Sequence, residues 1–188
     1  MSEVELIYGN LLDFPNKCER TGKQANINCI AHSCNTRNIM GGGIAKQIKE
    51  RFPQAYEADT EAYNNEYDKN GQYIHRLGKY SKAKFKSMFL EGDTGTIYNL
   101  YTQANLGTGE RQVDYEHFWK ALKNMQEDLL FTQHETGTPQ ILGLPYGISC
   151  GLAGGNWEII KAMINDIFSP KCEGDGLIKT YIVKYVNE

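Results

Sequence analysis

The chain has 188 residues, of which 40% are hydrophobic and 23% charged, a composition typical of a globular domain and unlike a disordered chain. Its 20 lysines and arginines against 23 aspartates and glutamates give a net charge of −3. That balance argues against general nucleic-acid binding, which needs a basic surplus. No apolar stretch approaches the roughly 18 residues of a membrane helix, so we expect no membrane partner. The length of the chain predicts one domain over residues 1–188.

The first half of the chain alternates apolar segments with helical patterns. Glycines 41–43 open a helix whose apolar residues recur every fourth position, and Pro53 ends it. A second helix is predicted over residues 54–65. Strands are predicted over residues 5–8 and 28–32, with weaker candidates over residues 72–80 and 87–91.

The second half continues the alternation more clearly. A long helix with regular apolar spacing is predicted over residues 114–131, with Asp114 as its N-cap. A glycine-rich segment, 147–155, separates an apolar strand from the next helix. Strands are predicted over residues 96–102, 140–145 and 180–186, and the last helix over residues 157–168.

Strands that alternate with helices predict an α/β domain whose largely parallel sheet is covered on both faces. In such domains ligands bind beyond the carboxyl ends of the strands. Two glycine-rich turns, 35–43 and 147–155, each follow a strand and precede a helix. Backbone amides exposed there favour a phosphate or diphosphate group. The spacing of the glycines in these two turns matches neither the dinucleotide fingerprint nor the P-loop, which disfavours dehydrogenases and NTPases.

Two other chemistries have partial sequence signals. Residues 147–151 match the G-x-S-x-G nucleophile elbow, but all four histidines precede Ser149, so the downstream base of a serine hydrolase is missing. Cys29, His32 and Cys34 lie close together, yet strand alternation places Cys29 and His32 on opposite faces and no second ligand pair follows. We therefore expect no metal and no cofactor. The odd number of cysteines, five, predicts reduced thiols and a cytoplasmic protein.

Three segments, 7–12, 30–53 and 144–157, resemble the ligand-binding segments of macrodomains in order and spacing. They carry the runs Ile-Ala-His-Ser-Cys-Asn, Gly-Gly-Gly-Ile-Ala and Pro-Tyr-Gly-Ile-Ser-Cys-Gly-Leu. The chain is most similar to the ADP-ribose-1″-phosphate phosphatase (Appr-1″-p processing) subgroup. The resemblance implies a three-layer α/β/α fold with a mixed, largely parallel sheet and a crevice for ADP-ribose. The ligand-binding residues expected there are Asn10, Leu11, Ser33, Asn35, Gly41, Gly42, Gly43, Ile44, Ala45, Tyr146, Gly147, Ile148, Ser149, Cys150, Gly151 and Leu152.

The resemblance also bears on adenine recognition and on hydrolysis. Asn10 stands where many members have aspartate, which leaves adenine selectivity open. Two hydrolase branches carry an aspartate, a lysine and an aspartate at the places of Ala45, Gln103 and Ala153. Removal of ADP-ribose from macromolecules is therefore disfavoured, although ADP-ribosylated macromolecules remain possible partners beside a small-molecule ADP-ribose derivative.

His32 is the candidate catalytic residue, because a histidine near the distal ribose suits proton transfer at neutral pH. The alternative is a buried, hydrogen-bonded histidine. Its aspartate partner has no firm position, since Asp114 fits an N-cap better. Arg111 is either a phosphate partner or a solvated side chain. We expect an ADP-ribose-1″-phosphate phosphatase; the alternative is a reader or sponge that binds ADP-ribose or a related nucleotide without turnover.

Overall fold

A computed structural model describes residues 3–16, 25–65, 76–86, 94–107, 109–169 and 178–186. The described elements form a mixed sheet of six strands with helices on both faces, as the sequence predicts. The strands are β1 (Glu5–Tyr8), β2 (Cys29–Asn35), β3 (Tyr80–Lys86), β4 (Thr94–Gln103), β5 (Ile141–Pro145) and β6 (Lys179–Lys184). The helices are α1 (Gly43–Arg51), α2 (Pro53–Asn65), α3 (Tyr115–Thr136) and α4 (Trp157–Phe168), with a 3-10 helix over Leu11–Asn16.

The sheet has the strand order β1-β6-β5-β2-β4-β3. Its neighbouring strands are parallel except for β3, which pairs antiparallel with β4 at one edge. Helices α3 and α4 pack their apolar residues on one face, against Cys29 and Ala31 of β2. Helices α1 and α2 cover the other face, where Ile30 of β2 is buried. Adjacent residues of β2 therefore belong to opposite layers, as the pleat of a strand requires.

The helix ends follow the capping signals in the sequence. The Asp114 carboxylate accepts a hydrogen bond from the backbone N–H of His117 at 3.0 Å, which confirms the predicted N-cap of α3. This helix extends to Thr136, beyond the predicted residue 131, and ends at Gly137 with a φ of 65°. Helix α4 has the predicted bounds.

Strand boundaries are where structure and prediction differ. Strand β2 continues past the predicted residue 32 to Asn35, because its backbone pairing with β4 carries polar residues into the sheet. The weak strand over residues 72–80 is wrong over residues 76–79, which form a turn before β3. Its first part, residues 72–75, and the candidate over residues 87–91 lie outside the described residues. Strand β6 ends at Lys184, earlier than predicted.

Among the described residues, no helix is both long enough and apolar enough to cross a membrane.

Candidate functional site

The site lies where the chain changes direction across the sheet. Strands β2 and β5 are parallel neighbours at its centre. After β2 the chain continues through α1 and α2 to β3 and β4 on one side, whereas after β5 it continues through α4 to β6 on the other. The connections therefore separate and leave a crevice at the carboxyl ends of the two strands, which is where α/β proteins bind ligands.

A cleft of about 300 Å³ occupies this crevice, at the lower end of the range of small-molecule sites, ~300–1,000 Å³. No lysine, arginine, histidine or carboxylate side chain is among its described lining residues. Its walls are formed by the two glycine-rich turns, called here the first glycine loop (residues 35–43) and the second glycine loop (residues 147–155), and by the loop after β4. The lining residues are Ser33, Asn35, Ile39, Gly42, Gly43, Ile44, Ala45, Gln103, Leu106, Pro145, Tyr146, Gly147, Ile148, Ser149, Gly151, Leu152 and Ala153.

Helix α1 presents its N-terminus to the cleft. Its N-cap is Gly42, which has no side chain to accept a hydrogen bond from the first turn. The first helical hydrogen bond joins the Lys46 N–H to the Gly42 carbonyl at 3.2 Å, so the amides of residues 43–45 have no partner within the helix. These residues line the cleft. An anion is the ligand that such amides and the helix dipole favour.

The second glycine loop is a succession of tight turns. Gly147 and Ser149 have φ angles of 70° and 61°, a conformation that is common for glycine and costs a serine energy. The Ser149 carbonyl accepts a hydrogen bond from the Gly155 N–H at 2.8 Å, and the Cys150 N–H donates to the Gly147 carbonyl at 2.8 Å. This geometry directs the Ser149 hydroxyl into the cleft, where it is hydrogen-bonded to the Ser33 hydroxyl.

The two glycine loops also meet at Gly42 and Leu152. A β-carbon built on Gly42 would lie 2.9 Å from Cδ1 of Leu152, closer than carbon atoms pack. The leucine side chain is 63% exposed. Leu152 thus approaches the N-cap of α1 because residue 42 is a glycine, and together they form a narrow part of the cleft.

His32 lies outside this cleft. It is in the middle of β2, its side chain is 0% exposed, and the neighbouring Ser33 rather than His32 lines the cleft. The His32 Nε2 atom is 2.7 Å from the Oδ1 atom of Asn99, and Asn99 donates in turn to the Ala55 carbonyl of α2. Burial lowers the pKa of His32 to about 4. These contacts favour the second interpretation of His32, a buried, hydrogen-bonded histidine.

The polar groups of Asn35 are engaged within its own loop. Its Oδ1 atom accepts from the Arg37 N–H at 2.9 Å and from the Ile39 N–H at 3.3 Å, while Nδ2 donates to the Ile39 carbonyl at 2.7 Å. Asn35 lines the cleft. Its main contribution in this structure is to shape the chain between β2 and the glycine run.

Four other predicted ligand residues do not line the cleft: Asn10, Leu11, Gly41 and Cys150. The Asn10 side-chain oxygen accepts from the Leu12 N–H at 3.1 Å and so holds the turn after β1. Leu11 is buried, with 5% of its surface exposed. The Cys150 thiol donates to the Ile148 carbonyl at 3.4 Å.

Arg111 and Asp114 likewise have contacts of their own. The Arg111 guanidinium carbon lies 4.4 Å from the centroid of the Tyr115 ring, a cation–π contact. Asp114 caps α3, which confirms the second interpretation of this residue. The backbone after Arg111 supports the second glycine loop, because the N–H groups of Gln112 and Val113 both donate to the Ala153 carbonyl, at 2.9 and 3.1 Å.

Three lining residues, Ile39, Leu106 and Pro145, are not among the ligand-binding residues expected from the sequence, although Ile39 and Pro145 lie in the segments that carry the resemblance. Ile39 and Leu106 are 47% and 46% exposed, and single exposed apolar residues are common on protein surfaces. Only the folded arrangement brings them to one opening. In the part of the chain that the structure describes, no group of three or more histidine, cysteine or carboxylate residues is arranged to hold a metal ion.

Comparisons with known proteins define the class of fold. The macrodomain of Mycobacterium tuberculosis DarG covers all of both chains with a TM-score of 0.62 and 16% identity. Thermosipho africanus DarTG in complex with ADP-ribose covers 85% of this chain and 38% of its own, with a TM-score of 0.58 and 17% identity. The Oceanobacillus iheyensis macrodomain with ADP covers 86% of this chain and 77% of its own, with a TM-score of 0.54 and 18% identity. The chain has the macrodomain fold.

A closer relative in sequence is a phage protein. The uncharacterized 17.5 kDa protein in the tk-vs intergenic region of Enterobacteria phage T4 is 30% identical over 144 residues, which are 77% of this chain and 81% of the phage protein. No family model matches the chain. The chain belongs to the same family as this phage protein.

Proposed function

We propose that the protein binds ADP-ribose or a close derivative, with the diphosphate between the two glycine loops. The observation that carries the proposal is the N-terminus of α1, whose first-turn amides face the cleft without a side-chain cap. Because the described lining has no cation, backbone N–H groups and the hydroxyls of Ser33 and Ser149 would provide the phosphate contacts. The ADP-ribose in the Thermosipho protein and the ADP in the Oceanobacillus macrodomain support a ligand of this chemistry.

Calorimetric titration tests the binding. ADP-ribose should bind at one site per chain, and AMP, which lacks the second phosphate and the distal ribose, should bind at least about tenfold more weakly, a difference of about 1.4 kcal/mol. Equal affinities for ADP-ribose and AMP would show that the protein does not recognise the diphosphate. Absence of heat with both would remove the ligand class.

The sequence favours turnover of ADP-ribose 1″-phosphate. The residues that line the cleft favour the alternative, binding without turnover. Phosphate release requires a group that transfers a proton near the distal ribose. Among the described lining residues, Tyr146 alone carries a titratable side chain. Ala45, Gln103 and Ala153, the three places where related hydrolases carry ionisable groups, also line the cleft and bear no charge.

Phosphate release from ADP-ribose 1″-phosphate separates the two functions. A reader leaves the substrate intact while ADP-ribose competes for the same site. A phosphatase releases inorganic phosphate in many turnovers per chain, and the Ser33→Ala and Ser149→Ala variants would then identify the hydroxyl that assists the reaction.

A further inference from the structure

A buried ion pair lies beside the first glycine loop. The side chains of Arg76 and Asp59, the latter on α2, are each 1% exposed, and the Arg76 Nη2 atom donates to the Asp59 carboxylate. The Tyr101 hydroxyl of β4 donates to the same carboxylate oxygen at 2.8 Å, and the Tyr101 ring lies 3.9 Å from the guanidinium carbon. Because desolvation offsets the attraction between buried charges, such a pair adds little net stability to a fold.

Two polar atoms of this ion pair lack a hydrogen-bond partner among the described residues. Among the described residues, the Asp59 Oδ2 and Arg76 Nε atoms are buried and have no hydrogen-bond partner. An arrangement selected for stability alone would satisfy these atoms or replace them with apolar groups. The pair therefore calls for another explanation, which the second contact of the guanidinium provides.

Arg76 also holds the point where the first glycine loop leaves the sheet. Its Nη1 atom donates to the backbone carbonyl of Thr36 at 3.1 Å. Thr36 is fully buried, and its N–H donates to the carbonyl of Gln103, a cleft residue, at 3.0 Å. Thr36 directly follows Asn35, whose side chain shapes the loop as far as Ile39. The guanidinium thus connects helix α2 to the base of the loop.

We propose that Arg76, oriented by Asp59 and Tyr101, is a positioning residue that fixes the first glycine loop in the geometry required for the ligand. The fork of the guanidinium allows one side chain to donate to the Asp59 carboxylate and to the Thr36 carbonyl together. The effect on affinity rests on the proposed function, whereas the effect on the loop does not.

The test is the double variant Asp59→Asn/Arg76→Met. It removes both buried charges, so no charge is left unpaired, and it keeps an oxygen that accepts from Tyr101. We expect a folded protein with a somewhat lower melting temperature, because the buried carbonyls of Thr36 and Asp59 lose the donors that Arg76 provides. Amide hydrogen exchange over residues 35–42 should accelerate by about tenfold or more, because the Thr36 carbonyl loses its donor. Affinity for ADP-ribose should fall by about tenfold, since displaced binding groups lose their alignment.

A second ion pair, whose side chains are 41% and 17% exposed, provides a control on the other face of the sheet. Lys82 lies 2.6 Å from Asp128 of α3, and the Tyr98 hydroxyl donates to the same Asp128 oxygen at 2.7 Å. None of these residues lines the cleft. The variant Lys82→Met/Asp128→Asn should leave both the affinity and the exchange of residues 35–42 unchanged.

Each outcome supports or overturns the proposal. Unchanged exchange over residues 35–42 overturns the positioning of the loop, and accelerated exchange without loss of affinity overturns its role in binding. If the double variant does not fold, Arg76→Lys keeps the charge without the fork and should show the same local acceleration. If the unchanged protein fails to bind ADP-ribose, the proposed function fails, while the exchange measurement still decides whether Arg76 holds the loop.

Discussion

The hydroxyl groups of Ser33 and Ser149 are hydrogen-bonded to each other across the cleft, although the two residues are 116 positions apart in the chain. Ser33 is placed by β2 and Ser149 by the turn after β5. The contact therefore joins the end of β2 to the second glycine loop at the crevice between the central strands. A phosphate oxygen that enters between the loops could accept from both hydroxyls.

Removal of either hydroxyl should weaken binding more than it changes stability. Ser33→Ala and Ser149→Gly are each expected to raise the Kd for ADP-ribose by about fivefold to tenfold, the effect of one lost hydrogen bond to a charged group. Ser149→Gly should leave the free energy of unfolding within about 1 kcal/mol, because glycine adopts the positive φ of this position without strain. Titration calorimetry and urea denaturation provide the two quantities. A large loss of stability with unchanged affinity would contradict this role.

Neighbouring glycines offer a matched pair of variants. Gly42→Ala places a β-carbon 2.9 Å from Leu152, whereas Gly41→Ala meets its nearest atom, on Ile39, at 3.8 Å. The first variant should turn the exposed end of Leu152 aside, with little loss of stability. The altered narrow part of the cleft should then weaken ADP-ribose binding by about threefold to tenfold. The second should change the Kd by less than about twofold. Similar affinities for the two variants would show that the contact between the loops does not shape the site.

The sequence predicted the architecture because apolar periodicity and capping residues are local signals. The bounds of α4 and the Asp114 cap are examples, and both glycine loops meet at one cleft. Strand alternation placed His32 on the face opposite Cys29, but the sequence did not show that Asn99 and helix α2 lie against His32 and bury it away from the cleft. The Arg76–Thr36 contact was equally hidden, since it depends on packing between segments 40 residues apart.

The buried His32 predicts a particular acid sensitivity. Its pKa falls from 6.5 to about 4 on burial, so the folded protein keeps the ring neutral where the unfolded chain takes up a proton. The contribution of His32 to the free energy of unfolding is greatest above about pH 6.5. It decreases as the pH falls towards 4, by roughly 3 kcal/mol in total. Urea denaturation between pH 7.5 and 4.5 should show a smaller decrease for His32→Gln. His134→Gln, at a side chain that is 86% exposed, should behave as the unchanged protein, and an identical pH slope for His32→Gln would refute the assignment.

The same His32→Gln variant tests the catalytic interpretation of the histidine. Because the ring faces α2 and not the cleft, we expect its affinity for ADP-ribose to change by less than about threefold wherever the variant is folded. Any phosphate release from ADP-ribose 1″-phosphate should be equally unaffected. A loss of release by about a hundredfold, the scale of general acid–base catalysis, with retained affinity would restore His32 as the catalytic group.

Substitution of Gly143 in β5 is expected to change the stability of the protein but not its affinity for the ligand. A β-carbon there would lie 2.6 Å from Cδ1 of Leu11 and 3.0 Å from Cδ1 of Ile27, both buried side chains. Gly143→Ala should therefore destabilise the protein by about 1–3 kcal/mol through overpacking, measured as a lower melting temperature. Affinity for ADP-ribose of the remaining folded protein should stay the same, and a stability equal to that of the unchanged chain would contradict the close packing.

Phosphorus NMR of ADP-ribose with a stoichiometric amount of the protein tests the central claim most directly, because it observes the two phosphates themselves. The amides at the N-terminus of α1 and the turn at Ser149 should shift and broaden both diphosphate signals. The Gly42→Ala variant should reduce that change, and Gly41→Ala should not. Diphosphate signals identical to those of the free ligand would contradict the account and mean that the two glycine loops do not bind a diphosphate.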